Sequence, residues 1–359
     1  MTDPLKHHGD DEARGTDLLD FAVNVRLAAP PEWLRERIAA APLGPYPDDR
    51  AAVAAVAARH DRSTAEVLLT AGAAEAFVLL ARAFAPRRAI CVHPSFTEPE
   101  AALWAAGHAV ERVFLPEPFT FDADLVPADA DLVVLGNPTN PTGVLHPAEV
   151  VASLCRIGRI VVVDEAFMDF VPGETASLAS RGDLPGLVVV RSLTKMWGLA
   201  GLRVGYVLAS AEVIERLRAA QPLWAVSSPA LAAIEACMGK GVSAETLSAA
   251  TTAAFERDLL AKELSSLGMY VSPGASANFL LIRGGIGLHQ ALRDRGIAVR
   301  RCDTFPGLGP DWIRIAVRDG ASNATLVATL ATMTDVARAT GSRVRWRVRP
   351  VRGVLHRPG

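Results

Sequence analysis

The stretch Leu187-Val-Val-Val-Arg-Ser-Leu-Thr-Lys195 joins a short apolar run to a polar segment that ends in a lysine. The run at 187–190 has the length and the β-branched content of a strand that is buried on both faces. Similar runs recur along the chain at 67–70, 89–93, 131–135, 160–163 and 204–208. Longer helical patterns rich in Ala and Leu separate them, for example at 73–85 and 148–156. This alternation predicts an α/β fold in which helices cover both faces of a parallel sheet.

The alternation of strand-like runs and helical patterns ends near residue 211. Helical stretches at 211–220, 228–239 and 243–267 lead into strand-like runs at 278–283, 297–301 and 312–317, and a helical pattern over 321–338 follows. We therefore expect a large domain over 41–220, then an interdomain helix and a smaller α/β domain over 221–338. The N-terminal segment, 1–40, is expected to join the small domain, and a basic tail occupies 339–359.

The overall composition excludes several classes of protein. Half of the 359 residues are apolar and 21% are charged, a balance typical of globular chains. The net charge of −2 gives no overall attraction to nucleic acid or anionic lipid. The first twenty residues contain no apolar core of a signal peptide, and the apolar runs are too short to span a bilayer. We therefore expect a cytoplasmic protein that binds neither nucleic acid nor membranes.

Neither the cysteines nor the histidines have the spacing of a disulfide framework or a metal site. The four cysteines lie far apart without a CxxC pair, and the eight histidines include no HExxH motif. The stretch 343–349 alternates arginine with apolar residues, as either a nucleic-acid-binding tail or a solvated terminus would. Because the body of the chain has no basic surplus, the solvated terminus is favoured.

Two loops that follow predicted strands carry groups suited to binding a polar ligand. Gly72-Ala73-Ala74 precedes a helix whose first amides could bind a phosphate, although a tight strand–helix turn also requires small residues. Asn137-Pro-Thr-Asn140-Pro-Thr-Gly143 contains two Asn-Pro steps, which predict an extended loop with the Asn140 amide free to donate. Both loops lie at the C-terminal ends of strands, where α/β sheets bind ligands.

A carboxylate and an amine follow two further predicted strands. Asp164 closes the run Val161-Val-Val, where burial of its charge would require a cationic partner. A helix cap or a surface turn explains this aspartate equally well in isolation. Lysine occurs only at 6, 195, 240 and 262, and Lys195 alone lies among apolar side chains that would lower the pKa of its amine.

These groups together predict a site for pyridoxal phosphate. That cofactor requires a lysine for its aldehyde, a carboxylate to keep its pyridine nitrogen protonated, and donors for its phosphate. Lys195 and Asp164 supply the first two requirements. Ser192, Thr194 and Arg203, together with the Gly72-Ala73-Ala74 turn, can hold the phosphate.

Three motifs resemble the class II, fold-type-I pyridoxal-phosphate-dependent aminotransferases. They are Ser192-Leu-Thr-Lys195 followed by Gly201-Leu-Arg-Val-Gly-Tyr206, then Asp164-Glu-Ala-Phe167 and Asn140-Pro-Thr-Gly143. The resemblance runs from about residue 8 to about residue 335, and it is nearest to the branch of histidinol-phosphate aminotransferase and threonine-phosphate decarboxylase. It implies a mostly parallel seven-stranded sheet sandwiched by helices, a smaller α/β domain, and a homodimer with active sites shared across its interface.

The resemblance assigns cofactor-binding roles to individual residues. Lys195 would carry the cofactor, Asp164 would pair with its ring nitrogen, and Asn140 would bond its phenolic oxygen. Phe96, in His93-Pro-Ser-Phe96, would stack on the ring. Tyr46 matches a tyrosine that reaches the cofactor phosphate of the neighbouring subunit. A pyridoxal-phosphate binder without activity is disfavoured, because these cofactor-binding residues are intact.

Substrate-binding roles follow from the same resemblance. Arg314, in Trp312-Ile-Arg-Ile, matches the arginine that binds the substrate carboxylate, and Asn24 would help to hold that end. His8 and Arg300 would bind a phosphate on the substrate. The implied substrate is a small phosphorylated amino acid or amine.

Several details favour the decarboxylase within this branch. Phe167 stands where histidinol-phosphate enzymes usually carry a tyrosine that bonds the cofactor's phenolic oxygen, and both Arg300-Arg-Cys-Asp-Thr-Phe-Pro-Gly-Leu308 and Pro222-Leu-Trp-Ala-Val226 resemble decarboxylase segments. Asp10 and Ser227 depart from its pattern. We therefore expect an L-threonine-O-3-phosphate decarboxylase that gives aminopropanol phosphate for cobalamin biosynthesis. An aminotransferase of the histidinol-phosphate type, which transfers the amino group to a 2-oxo acid, is the alternative, and the same residues serve both reactions.

Overall fold

The computed structural model describes residues 4–339. The strands in this range are β1 (Leu19–Phe21), β2 (Val67–Thr70), β3 (Ala89–His93), β4 (Val110–Phe114), β5 (Leu132–Gly136), β6 (Ile160–Asp164), β7 (Leu187–Ser192), β8 (Gly205–Ala209), β9 (Tyr270–Val271), β10 (Phe279–Arg283), β11 (Ile297–Arg301) and β12 (Trp312–Ala316). The helices are α1 (Asp10–Ala13), α2 (Glu32–Ala39), α3 (Arg50–Arg59), α4 (Ala73–Ala83), α5 (Glu98–Ala105), α6 (Ala148–Ala152), α7 (Thr194–Trp197), α8 (Ala211–Ala220), α9 (Ser228–Cys237), α10 (Lys240–Ser266), α11 (Leu288–Arg293) and α12 (Gly320–Ala339).

Seven strands form a large sheet in the order β2-β8-β7-β6-β5-β3-β4. In this sheet β8 runs antiparallel to both of its neighbours, and the other adjacent strands are parallel. The predicted mostly parallel, seven-stranded sheet is therefore confirmed. Because β2 and β7 are both antiparallel to β8, they share one direction, and the C-terminal ends of β2, β5, β6 and β7 lie at the same edge.

Apolar side chains on both faces of this sheet explain why its central strands read as continuous apolar runs. One face, with Leu68, Val162 and Val188, packs in a cluster with α4, α5 and α8. The other face, with residues such as Val161 and Val189, packs against α3 and α9. Successive strand residues point to opposite faces, so almost every position of a central strand is buried. Full burial of each such side chain is worth about 1.5–3 kcal/mol.

The predicted strands agree with the structure to within a residue or two. Strand β4 has no counterpart in the sequence prediction, because it is the edge strand and its Val-Glu-Arg-Val-Phe sequence lacks a continuous apolar run. The helix predicted over 148–156 stops at Ala152, after which the N–H groups of Leu154 and Cys155 bond to carbonyls three residues back. The last turn therefore tightens into a loop.

A second sheet has the order β1-β11-β12-β10-β9. Strand β1 comes from the N-terminal segment and pairs in parallel with β11, with Leu19 opposite Ile297. The core of this region contains Phe21, Leu280 and Ile315, and Leu260 from the long helix α10 and Leu326 from α12 also belong to it. The N-terminal segment therefore contributes a strand to a sheet whose other members come from residues 270–316.

The predicted basic tail is almost entirely outside the described part of the chain. Residues 340–359 of the predicted basic tail, including the arginine-rich stretch 343–349, lie outside the described residues. Among the helices of residues 4–339, none has both the length and the apolar character required to cross a membrane.

Candidate active site

A cavity of about 510 Å³ lies at the C-terminal edge of the large sheet. Its wall combines loops that follow β3, β5, β6 and β7 with the N-terminal segment and with residues from β11 and β12. Most of the predicted site residues line it: His8, Asn24, Ala73, Ala74, Phe96, Asn140, Asp164, Phe167, Ser192, Thr194, Lys195, Arg203, Arg300 and Arg314. Of the predicted residues, Gly72 and Tyr46 are outside this wall.

Asp164 and Lys195 face this cavity from adjacent strand ends. Asp164 is the last residue of β6, where its Oδ1 accepts a hydrogen bond from the Ala166 N–H at 3.1 Å. Burial raises the pKa of this carboxyl to about 6. Lys195 lies in the first turn of α7, and burial, reinforced by the charges of Arg314 and Arg203, lowers the pKa of its amine to about 8. A larger fraction of the amine is therefore neutral and nucleophilic near neutral pH than for a lysine in water.

The Asn140 loop forms a turn, so the predicted extended conformation is wrong. The Gly143 N–H donates to the Thr139 carbonyl at 2.6 Å, and Gly143 has a φ of +75°, which glycine tolerates. The turn directs Asn140 toward β12, where its Oδ1 accepts from Arg314 Nη1 at 2.6 Å. Within residues 4–339 the Asn140 NH₂ group donates no hydrogen bond, so it is available to donate to a ligand.

An anion-binding cradle surrounds the N-terminus of α4. Gly72 precedes this helix with a φ of +81°, and a side chain there would meet Arg203 Nη2 at 2.6 Å from its Cβ. Residue 72 must therefore be small for the guanidinium to lie over the helix N-terminus, whose first amides have no intrahelical acceptor. Thr194 Oγ1 is buried without a hydrogen-bond partner among the described residues, and Ser192 lines the same cavity. This donor set fits a phosphate.

Two aromatic side chains, Phe96 and Phe167, line the cavity. Phe96 follows β3, and its ring lies 5.5 Å from the imidazole of His8 and 6.4 Å from Phe77. Phe167 is buried and packs edge-on against Phe279, with ring centroids 4.9 Å apart. A flat heteroaromatic ring can stack on an aromatic side chain of this kind while its nitrogen faces Asp164. The structure therefore fits pyridoxal phosphate at its ring, its nitrogen, its aldehyde and its phosphate.

Two buried arginines also line the cavity, Arg300 from β11 and Arg314 from β12. Arg314 is held by the Ala22 carbonyl and by Asn140, and its Nε has no partner among the described residues. Arg300 donates to the His7 carbonyl at 2.6 Å and to Thr304 Oγ1 at 2.7 Å. No carboxylate of residues 4–339 pairs with either guanidinium. Burial and the neighbouring charge of Arg300 lower the pKa of Arg314 to about 9, as expected for a buried cation that lacks an anion.

Asn24 adds a second unfilled hydrogen-bonding group. Both polar atoms of its side-chain amide are buried and have no partner among the described residues. An unpaired buried amide is unfavourable unless a ligand or water bonds to it. Its place on the cavity wall with Arg314 agrees with the predicted role at the substrate carboxylate.

Sequence reasoning missed several residues that line the cavity. Glu98, two residues after Phe96, accepts a hydrogen bond from His8 at 3.2 Å, which lowers the pKa of its carboxyl. Asp10 and Arg14 line the cavity from the N-terminal segment. Asp10 differs from the residue of the decarboxylase pattern at that position, and this difference is the one sequence signal for these three residues. No motif marks Glu98 or Arg14.

Tyr46 lies away from the cavity on the surface of the chain. Its side chain is 75% exposed and stacks on Trp224, with ring centroids 4.2 Å apart. Leu43 and Leu223 are also strongly exposed. The assignment of Tyr46 to a neighbouring subunit's cofactor remains a prediction.

A buried ion cluster lies at the C-terminal ends of β6, which contains Asp164, and β7, which closely precedes Lys195 in the chain. Arg191 on β7 donates to Glu165 at 3.1 Å, to Glu174 at 2.8 Å and to Asp169 at 2.5 Å. Burial raises the pKa values of Glu165 and Asp169, whereas the Arg191 guanidinium lowers both. Because Glu165 follows Asp164 and Arg191 precedes Ser192, the cluster ties together the two strand ends that form the cavity.

Replacing Arg191 with methionine is expected to lower the free energy of unfolding by about 3–5 kcal/mol, because it leaves buried carboxylates without their cation. Urea unfolding followed by circular dichroism measures the change. Arg181→Met is the matched control, since Arg181 pairs with Asp183 on the surface. Equal midpoints for the two variants would contradict a stabilising role for the buried cluster.

Comparisons with known proteins agree with this geometry. Residues 22–330 match the family described as aminotransferase class I and II. The chain belongs to this family. It is 48% identical to a histidinol-phosphate aminotransferase of Mycobacterium tuberculosis, over 88% of this chain and 89% of the relative. A threonine-phosphate decarboxylase of Salmonella typhimurium is 32% identical over 87% of this chain and 90% of the relative.

The fold is also shared with solved structures. The crystal structure of a histidinol-phosphate aminotransferase from Clostridium acetobutylicum superposes with a TM-score of 0.80 at 25% identity, covering 88% of this chain and 99% of that one. Members of the class I and II family depend on pyridoxal phosphate, so this protein is a pyridoxal-phosphate-dependent enzyme. The higher identity to an aminotransferase than to a decarboxylase favours the alternative reaction over the one ranked first from the sequence.

Proposed function

We propose that this protein is an aminotransferase of the histidinol-phosphate type, which transfers an amino group between a phosphorylated amino compound and a 2-oxo acid. The observation that carries this proposal is the 48% identity to a histidinol-phosphate aminotransferase over 88% of this chain, against 32% identity to a threonine-phosphate decarboxylase. The pair of buried arginines, Arg300 and Arg314, supports a phosphorylated substrate, because both face the cavity of Lys195 and Asp164 without a carboxylate partner among the described residues. Two unpaired buried cations favour a substrate with more than one negative charge.

The residues of the cavity would hold the cofactor in one orientation. Lys195 would bind its aldehyde, Asp164 its ring nitrogen and Asn140 its phenolic oxygen, while Phe96 would stack on the ring. Ser192, Thr194, Arg203 and the first amides of α4 would bind its phosphate. When bound, pyridoxal phosphate withdraws electrons from the carbon that bears the substrate's amino group.

Lys195 would also move the proton that distinguishes transamination from decarboxylation. Its amine, with a pKa lowered to about 8, can accept a proton from the substrate carbon and return it near neutral pH. The negative charge of Asp164 opposes this lowering of the pKa, so part of the lysine population stays protonated. A group that both accepts and donates a proton requires both forms of the amine. The aminotransferase proposal requires a base at this position, although the same lysine would also serve decarboxylation.

The substrate's anionic groups would bind at the two buried arginines. Arg314 and Asn24 would receive the carboxylate of an amino acid or 2-oxo acid, with Arg314 held in place by Asn140 and the Ala22 carbonyl. Arg300 and His8 would receive a phosphate. A guanidinium forms charge-assisted hydrogen bonds to both kinds of anion, so these contacts would fix the orientation of the substrate carbon.

Decarboxylation of L-threonine-O-3-phosphate is the second candidate, supported by Phe167 and by the 32% identity to a threonine-phosphate decarboxylase. Phe167 has no hydroxyl and packs against Phe279, so it can hold a ring but cannot donate a hydrogen bond. Such a decarboxylase would make aminopropanol phosphate, a precursor in cobalamin biosynthesis.

Product analysis separates the two activities. The purified holoenzyme is incubated with histidinol phosphate and 2-oxoglutarate, and separately with threonine phosphate alone. The aminotransferase proposal predicts glutamate in the first reaction and no CO₂ in the second. Release of CO₂ from threonine phosphate, without glutamate formation in the first reaction, would replace it with the decarboxylase.

We also propose that the enzyme works as a homodimer. The exposed aromatic stack of Tyr46 and Trp224, with Leu43 and Leu223 beside it, is an apolar surface suited to burial against a second copy. Sedimentation velocity of wild type and Tyr46→Ala tests this interface. A monomeric wild-type enzyme at micromolar concentration would exclude shared active sites.

A further inference from the structure

Asp10 and Arg14 form an ion pair on the cavity wall that none of the assigned roles uses. Arg14 Nη2 contacts Asp10 Oδ2, one helical turn apart across α1. Both residues line the cavity, yet their side chains are 46% and 74% exposed. The pair therefore lies where the cavity opens to solvent, whereas Arg300 and Arg314 lie buried inside.

This pair is weak enough to be exchanged for a ligand. Solvent and salt screen an exposed ion pair, so little free energy is lost when its partners separate. Asp10 begins the short helix α1 and Arg14 follows its last residue, so their exposed side chains can change rotamer without disturbing the core. An anion that enters the cavity can thus compete with Asp10 for the guanidinium of Arg14.

The charge of the incoming anion decides this competition. Asp10 carries one negative charge, so a ligand with one charge gains nothing by replacing it on Arg14. A phosphate monoester carries up to two charges near neutral pH and offers three acceptor oxygens. Only the dianion gains from the exchange, because its attraction to the guanidinium exceeds that of the carboxylate.

We propose that Arg14 is a further ligand for a dianionic phosphate group on the substrate, and that Asp10 holds Arg14 at the cavity mouth until that group replaces it. Arg300 and His8 would bind the phosphate from within the cavity, and Arg14 would close on it from the solvent side. Arg14 is then a specificity-determining residue that distinguishes a phosphate ester from a singly charged group. Asp10 and Arg14 line the same cavity as Lys195, so both face the space that a ligand would occupy. This inference rests on the proposed phosphorylated substrate.

The test uses two probes of similar shape and different charge. At pH 8 methyl phosphate is a dianion, while methyl sulfate is a monoanion. Isothermal titration of the holoenzyme measures the affinity for each probe in wild type, Arg14→Gln and Asp10→Asn. Arg35→Gln is the matched control, because Arg35 pairs with Glu32 one helical turn away on an exposed helix outside the cavity.

Arg14→Gln is expected to weaken methyl phosphate binding roughly tenfold, the usual effect of losing one charge-assisted hydrogen bond, and to leave methyl sulfate binding unchanged. Asp10→Asn is expected to tighten the binding of both probes, because it frees Arg14. Arg35→Gln should bind both as wild type does. If Arg14→Gln weakens neither probe, or weakens both equally, Arg14 does not select a dianion.

The same titration separates this inference from the proposed function. Wild-type enzyme that fails to bind methyl phosphate would overturn both the phosphorylated substrate and the role of Arg14. Methyl phosphate binding that depends on Arg300, as tested with Arg300→Gln, but does not depend on Arg14 would overturn the inference alone.

Discussion

Replacing Lys195 with alanine is expected to lower the rate of amino transfer by roughly 10⁴-fold, because one amine both binds the cofactor and moves the proton. The loss should fall on kcat, since Arg300 and Arg314 still bind the anionic groups of the substrate. The variant is also expected to lose the visible absorbance band of the bound cofactor. Stopped-flow absorbance and steady-state rates measure both effects.

The matched control is Lys262→Ala, which removes an exposed lysine of α10 outside the cavity. This variant should keep wild-type rates and the cofactor band. Borohydride reduction of wild-type holoenzyme, followed by peptide mapping, should place the cofactor on the peptide that contains Lys195. Labelling on the peptide of Lys262, or retention of activity in Lys195→Ala, would contradict the assignment.

The large sheet and the cofactor residues could be predicted because local sequence determines both. Strands buried on both faces are read directly as apolar runs, and the polar residues that end them must meet at one edge of the sheet. Asp164, Lys195 and Asn140 were therefore found from their places after strands, and the structure brings all three to one cavity.

The residues that were not predicted depend on contacts between distant parts of the chain. Arg14 and Glu98 reach the cavity because the N-terminal segment lies across it, with His8 bonded to Glu98 ninety positions away. The bond from Arg314 to Asn140 spans 174 positions and needs the turn at Gly143, which the Asn-Pro steps did not reveal. No local periodicity encodes such pairs.

The sequence motifs do not decide between amino transfer and decarboxylation. Loss of a carboxylate and loss of a proton use the same lysine, aspartate and arginines, so the motifs around Lys195 and Asp164 are common to both. Phe167 and short segments such as 300–308 favour decarboxylation when the sequence is taken alone. Identity over most of the chain favours the aminotransferase instead, because it samples every position that orients the substrate.

Replacing Asp164 with asparagine is expected to lower kcat by about 10²–10³-fold, the usual cost of removing one preorganised electrostatic partner from an active site. Asparagine keeps the size of the side chain and can still accept from the Ala166 N–H, but it cannot balance a protonated ring nitrogen. The control is Asp258→Asn on α10, where the carboxylate pairs with Arg257 and is 71% exposed. A rate for Asp164→Asn within twofold of the control would exclude the pairing.

The pH dependence of cofactor binding tests the same pairing without turnover. Burial raises the pKa of Asp164 from its ordinary value of 3.8 to about 6. In the apoprotein, the group therefore contributes stability below about pH 4, and this contribution is lost as the pH rises through about 6. A cationic ring nitrogen compensates the carboxylate that forms, so the increase in Tm caused by the cofactor should grow as the pH rises across this window. In Asp164→Asn this growth should be absent, because asparagine does not titrate. An equal rise in both proteins would show that another group, and not Asp164, faces the ring nitrogen.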